Sequence, residues 1–323
     1  MKKFIMFLSC ALVLYACEKE QLPEDNNDQP DVPKEWQVGK NEYNKVIDGV
    51  ERNFLVHVPQ GYTGDAPVPL FFMLHGSGGS GARFYDISGW VQKSEEEHFI
   101  AVFPTGLEYP IIEKDSHLFT KWSSDGLVNQ IPAGYPIKDD VPFIRELITW
   151  CEEQFNIDSR RIYISGFSNG GAFVRTRIMD EMNDRFAAAS AGNIGFQEPL
   201  SITGYVMPFF QIVGSKDDYI LDALGIQELP LNADQLLQIP QIAQQIAHLK
   251  TTLRFGDNYT ESPHIPKYNF IVWADDLTGQ GREFRLLLIN DLKHRYPNGR
   301  NNPHQVRATD FLWDWFMQYT LPE

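Results

Sequence analysis

The chain has 323 residues, 43% of them hydrophobic and 22 of them phenylalanine, enough to bury one large core or two modest ones. A formal net charge of −15 argues against a nucleic-acid partner, whose phosphates would repel it. The three cysteines, Cys10, Cys17 and Cys151, make neither a disulfide framework nor a cysteine-type metal cluster, and no His-x-x-x-His spacing occurs, so no metal is expected.

The chain begins with a short basic start, Met1-Lys2-Lys3, and an apolar run over 4–16 that is too short for a permanent membrane span. It closes on Leu14-Tyr15-Ala16-Cys17, which resembles the bacterial lipoprotein signal. The resemblance implies a signal peptide over 1–16, cleavage before Cys17, and lipid on that residue's sulfur and new N-terminus. A plain secretory leader is the alternative, and either one exports the protein, the first to a lipid anchor at the cell envelope. Residues 18–35 carry seven acidic side chains against two lysines, with three prolines and almost nothing apolar. Such a segment cannot bury enough surface to offset its ordering entropy, so 17–35 reads as a disordered acidic tether. No repeat or second linker follows, and 36–323 reads as one domain.

Residues 43–58 form a hairpin pattern with its turn at Asp48-Gly49. The continuous apolar run 67–74 fits a strand buried on both faces of a parallel sheet, and it empties into His75-Gly76-Ser77-Gly78-Gly79. A helical pattern over 83–97 leads to a strand at 99–104. The Asp139-Asp140-Val141-Pro142 run caps a helix reaching about Gln154, and a strand follows at 161–165. Further strands are expected at 206–213 and 283–289, with helices near 233–253 and 304–319. This alternation predicts an α/β class: a mostly parallel sheet covered by helices on both faces.

Around the strand at 161–165, Gly166-Phe167-Ser168-Asn169-Gly170 is a Gly-x-Ser-x-Gly turn between strand and helix. Such an elbow lifts the serine hydroxyl above the sheet and aims a helix N-terminus at it, so Ser168 is the candidate nucleophile. In the α/β-hydrolase fold the acid and then the base follow downstream, at strand ends. Strand 206–213 empties into Gly214-Ser215-Lys216-Asp217-Asp218, where Asp217 or Asp218 could orient the base. Strand 283–289 empties into Asn290-Asp291-Leu292-Lys293-His294, which favours His294 as base over His304. Backbone N–H groups of Ser77 and Asn169 are the candidate oxyanion hole. His75 is expected to hold its loop by a hydrogen bond and takes no catalytic role. The 108–136 segment, with Trp122, Ser123 and Tyr135, either touches the acyl or sugar group or is simply a long surface loop.

Asp139-Asp140-Val141, Ile157-Asp158 followed by Arg160-Arg161-Ile162-Tyr163-Ile164, the elbow itself and Leu74-His75-Gly76 together resemble the secreted polyhydroxybutyrate-depolymerase and feruloyl/acetylxylan esterase group. His294-Arg295-Tyr296-Pro297-Asn298-Gly299 is similar to that group's His-x-Trp-Pro-Gly segment, and the likeness covers most of 45–320. The group's Gly-Thr-x-Asp pattern matches Gly214-Ser215-Lys216-Asp217, and this selects Asp217. Tyr296 replaces a tryptophan, Val213 stands where a histidine is frequent, and the group's cysteine pairs are missing. The resemblance implies an α/β-hydrolase fold and a cofactor-independent serine esterase. Its triad would be Ser168, Asp217 and His294, with Trp122 and Tyr296 near the substrate. Feruloyl or acetyl esters of xylan are the expected substrates, polyhydroxyalkanoate esters the second choice, and a catalytically silent glycan-binding lipoprotein the rival class.

Overall fold

The computed structural model describes residues 36–195, 202–263 and 265–322; the expected leader, the expected lipidation site at Cys17 and the expected acidic tether lie outside the described residues. β1 (Gly39–Ile47) and β2 (Val50–Val58) form the expected hairpin, with Ile47 opposite Val50. Asp48 and Gly49 take φ of 51° and 74°, the paired left-handed residues of a type I′ turn. β3 (Val68–Leu74) follows, then α1 (Gly81–Ile87) and α2 (Trp90–Glu97). These two helices replace the single one expected over 83–97, because Gly89 sits between them at φ 86° and breaks the run.

β4 (Ile100–Pro104) returns to the sheet, and β5 (Leu107–Ile111) pairs with β6 (His117–Lys121) as a separate hairpin. The 108–136 stretch is therefore structured, with Tyr109, Ile111, Leu127 and Ile131 packed in a small core of their own. α3 (Val141–Gln154) has Pro142 in its first turn, and its capping departs from expectation. Asp139 accepts the Val141 N–H, while Asp140 turns inward to Arg52 (2.7 Å) and the Ser123 N–H (2.8 Å). β7 (Ile157–Phe167) leads through Ser168 into α4 (Asn169–Phe173), which continues by a π turn over Val174–Ile178 into α5 (Met179–Glu181).

β8 (Ala188–Gly192) and β9 (Phe209–Gly214) come next, then α6 (Asp218–Leu224), α7 (Ala233–Leu236) and α8 (Pro240–Leu253). β10 (Thr260–Glu261), β11 (Tyr268–Trp273), β12 (Phe284–Ile289) and α9 (Thr309–Phe316) complete the described elements. The ten-stranded sheet runs β1-β2-β4-β3-β7-β8-β9-β12-β11-β10. From β4 to β12 the strands are parallel, and antiparallel strands close both edges. Alternate residues of β3 divide between two cores: Leu70, Phe72 and Leu74 belong to the one that also takes in α3, α4 and α8, whereas Phe71 and Met73 belong to the one that takes in α1, α2 and α9. Burying a large apolar side chain of this kind contributes about 1.5–3 kcal/mol, so both faces hold the sheet rigid beneath its loops. The sheet with helices on both faces is the α/β arrangement expected from the alternating pattern.

Candidate active site

Ser168 lies at the turn between β7 and α4 with φ 51° and ψ −119°, a conformation that side chains other than glycine rarely adopt. Its N–H donates to the Gly192 carbonyl, and its carbonyl accepts from Ala172, so the turn is pinned from both sides. The flanking glycines leave no alternative. A Cβ on Gly166 would overlap the Gly170 carbonyl, and one on Gly170 would overlap the His75 carbonyl oxygen.

The structure brings Ser168, His294 and Asp217 together. His294 Nε2 is 2.9 Å from Ser168 Oγ, and His294 Nδ1 is 2.9 Å and 3.0 Å from the two Asp217 oxygens. A carboxylate can only accept, so Nδ1 carries the proton and Nε2 is left to accept from the serine hydroxyl. Asp217 is fully buried at the N-cap of α6 and also accepts from the Ile220 N–H, whereas Asp218 is exposed. His304 instead lies 3.5 Å from Asp291.

The two downstream loops are tied to each other before either reaches the serine. Ser215 N–H donates to the Ile289 carbonyl, Lys216 N–H to the Leu292 carbonyl, and Asp291 N–H to Ser215 Oγ. Asn193, at the end of β8, adds a clamp that the sequence did not reveal: its Nδ2 donates to the carbonyls of both Lys293 and Arg295, each at 3.0 Å. Those carbonyls flank His294. Tyr219, 70% exposed, sets its ring 4.4 Å from that of His294 and was also missed.

Gly76 brings the other half of the site close, since a Cβ there would press on the Phe167 ring and Ser168 Cβ. Neither the Ser77 nor the Asn169 N–H has a protein acceptor among the described residues, which leaves both free for a ligand oxygen. The Asn169 side chain is committed elsewhere, accepting from Trp122 N–H (2.7 Å) and donating to Ser124 Oγ (3.0 Å). His75 donates from Nδ1 to the Gly76 carbonyl (2.7 Å) and accepts at Nε2 from the Gly106 N–H (2.9 Å). Burial pushes its pKa down to about 4, which keeps it neutral and able to make both bonds.

Two expected substrate contacts need revision. Trp122 is fully buried, stacks on Phe173 and donates to the His75 carbonyl at 2.9 Å, so it braces the Gly76 loop from behind and does not reach a substrate. Tyr296 offers a ring edge only: its hydroxyl is spent as acceptor for Trp90 Nε1 (2.8 Å), and burial pushes the phenol well above its usual range. That ring, with Phe84, Phe167, Gly76, Ser77 and His294, lines a cleft of about 210 Å³.

No family model matches the chain. It is 24% identical over 287 residues to a bifunctional acetylxylan esterase/xylanase of Neocallimastix patriciarum, covering 87% of this chain and 35% of that protein. It is also 28% identical over 120 residues to feruloyl esterase B of Piromyces equi, covering 37% and 20% respectively. The chain thus spans about a third of the first relative's length and a fifth of the second's. An acetyl xylan esterase structure from Aspergillus awamori superposes with a TM-score of 0.59 at 14% identity, over 86% of this chain and 99% of that one. The fold is that of the α/β-hydrolases, and the expected likeness to the acetylxylan and feruloyl esterase group is borne out. Among the described residues, no helix is long and apolar enough to cross a membrane.

Proposed function

We propose that this α/β-hydrolase is a serine carboxylic-ester hydrolase that removes acetyl or feruloyl groups from xylan. One observation carries the reading: an elbow serine held at φ 51° within 2.9 Å of a histidine whose other nitrogen faces a buried carboxylate. An ordinary turn has no reason to hold a strained residue in register with two groups more than forty residues away. The names of the two curated relatives support the xylan-ester substrate.

In the proposed cycle Ser168 Oγ attacks the ester carbonyl carbon while its proton passes to His294 Nε2. The electron pair of the C=O bond moves to oxygen, and that oxyanion accepts from the N–H groups of Ser77 and Asn169. Collapse expels the sugar alkoxide, which takes the proton from Nε2 and leaves an acyl-Ser168 ester. Water then attacks the acyl carbon, giving its proton to Nε2, and the second collapse returns that proton to Ser168 Oγ and frees the acid. Asp217 holds the Nδ1–H tautomer and balances the imidazolium formed at each attack. Anchoring through lipidated Cys17 would keep this chemistry at the cell envelope; radiolabelled-palmitate incorporation that Cys17→Ser abolishes would support it, and incorporation surviving Cys17→Ser would remove it.

The test is to incubate the full-length protein and its Ser168→Ala variant with acetylated, feruloylated arabinoxylan and follow free acetate and ferulate by chromatography. Release by the parent should exceed that of the variant by about 10⁴-fold or more, with both proteins equally folded. Equal release would end the triad assignment, and release of neither acid by the parent would end the xylan-ester reading.

A further inference from the structure

Two cations line the same cleft as His294 with no carboxylate partner among the described residues. Arg83, on α1, and Arg295, next to the base, both line the 210 Å³ cleft, and both are exposed. Neither guanidinium has a hydrogen-bond or ion-pair partner among the described residues. Most arginines of this chain are paired. Eight other arginines hold a carboxylate, as in Arg145–Asp184 and Arg307–Asp310. With 43 acidic residues against 28 basic ones, carboxylates are in excess, yet among the described residues none forms an ion pair with either guanidinium.

The cleft between them is apolar, floored by Phe84, Phe167 and Tyr296. A floor of that kind excludes water, lowers the local dielectric and strengthens any ion pair formed above it. A guanidinium also presents a flat fork of donors that matches a carboxylate in two parallel bonds. The overall charge of −15 would repel an anionic ligand at long range, so a local cationic pair is what such a ligand would need at the point of binding.

We propose that Arg83 and Arg295 bind a carboxylate carried by the substrate, which makes the preferred ester an anionic one. The inference rests on the hydrolase reading for its location and adds the substrate's charge. The carboxylate could belong to the acid half, as in a dicarboxylate half-ester, or to the alcohol half, as in a uronate-bearing xylan. The ion-pair chemistry is the same for both.

The experiment compares kcat/KM for two matched pairs with the full-length protein: monoethyl adipate against ethyl hexanoate, and acetylated glucuronoxylan against acetylated xylan stripped of its uronates. Each anionic substrate that fits should be preferred by about tenfold at low salt, a preference that shrinks in 0.5 M salt. It should fall toward unity in the Arg83→Gln/Arg295→Gln double variant. The pair in which this occurs names the half of the ester that carries the charge. No preference in either pair, or one that survives the double substitution, overturns the proposal. Calorimetric binding of glucuronate-bearing and plain xylo-oligosaccharides to Ser168→Ala, and of adipate against hexanoate, reads the same preference without turnover. A parent that fails to hydrolyse any ester yet binds the anionic member more tightly would sink the hydrolase reading and keep this one; equal binding within both pairs would sink this one.

Discussion

The two halves of the site are built by different means. The serine half is local: Gly166, Ser168 and Gly170 lie within five residues, and steric overlap at each glycine forces the turn. The partner it touches, the His75–Gly76 loop, is likewise set by a buried apolar strand ending in glycines. The acid–base half is assembled at long range. Asp217 and His294 are 77 residues apart and meet because three backbone-anchored hydrogen bonds lace their loops together at the ends of β9 and β12. A turn forced by glycine sterics tolerates little substitution and is anchored through its backbone, as by the Ser168 N–H on the Gly192 carbonyl, whereas the assembled pair also depends on side chains such as Asn193.

The sharpest way to break that contrast is Asp217→Asn. An amide in place of the carboxylate can donate to Nδ1, which favours the tautomer with its proton on Nε2, the nitrogen that must accept from Ser168. The loss in kcat should be about 10⁴-fold, with the elbow and its φ of 51° intact. Steady-state kinetics on a soluble ester measures it, beside a crystal structure of the variant. A loss smaller than tenfold would mean that Asp217 does not orient the base.

A smaller effect tests the local half through pH. His75 is neutral in the folded protein because burial lowers its pKa from 6.5 to about 4. The unfolded chain therefore takes up this proton first as pH falls. The stability that His75 contributes is fully present above about pH 6.5 and is lost progressively toward pH 4, on the order of 3 kcal/mol in all. Urea unfolding of the parent at pH 7.5 and pH 4.5, beside His75→Gln, isolates it. The parent should lose more stability than the variant over that interval. Equal losses would mean that His75 is already solvated or charged in the folded state.

How much of this was legible in the sequence follows the same division. The hairpin at Asp48-Gly49, the elbow and the His75 loop announce themselves because glycine at a fixed spacing has few other physical explanations. β8 is five small residues, Ala188–Gly192, and carries none of the branched or aromatic side chains by which a buried strand is recognised; its neighbours β7 and β9 supply the bulk. With β8 unseen, Asn193 at its end was unseen too. Trp122 failed for a related reason. An aromatic residue in a long polar segment reads as a ligand contact, yet burial is decided by the β6 backbone, which carries Trp122 under the His75 loop. The exposed Arg83 gave no signal, since it lines the cleft together with Arg295, 212 positions away in the chain.

Asn193 gives the subtlest test of the assembled half. It sits at φ 48°, a region asparagine tolerates and alanine does not, so Asn193→Ala would mix backbone strain with loss of the clamp. Asn193→Gly separates them, because glycine accepts the positive φ and removes only the side chain. Nδ2 makes both useful contacts, while Oδ1 has no hydrogen-bond partner. If the clamp fixes the carbonyls on either side of His294, Asn193→Gly should lower kcat about 10–100-fold with KM little changed, since the substrate touches neither atom. Asn193→Asp should be worse still, for it turns an acceptor toward two carbonyl oxygens. A purely structural role would instead lower the melting temperature and leave kcat per folded molecule at the parent value, and that outcome would return the positioning of His294 to the Ser215–Asp291 lacing alone.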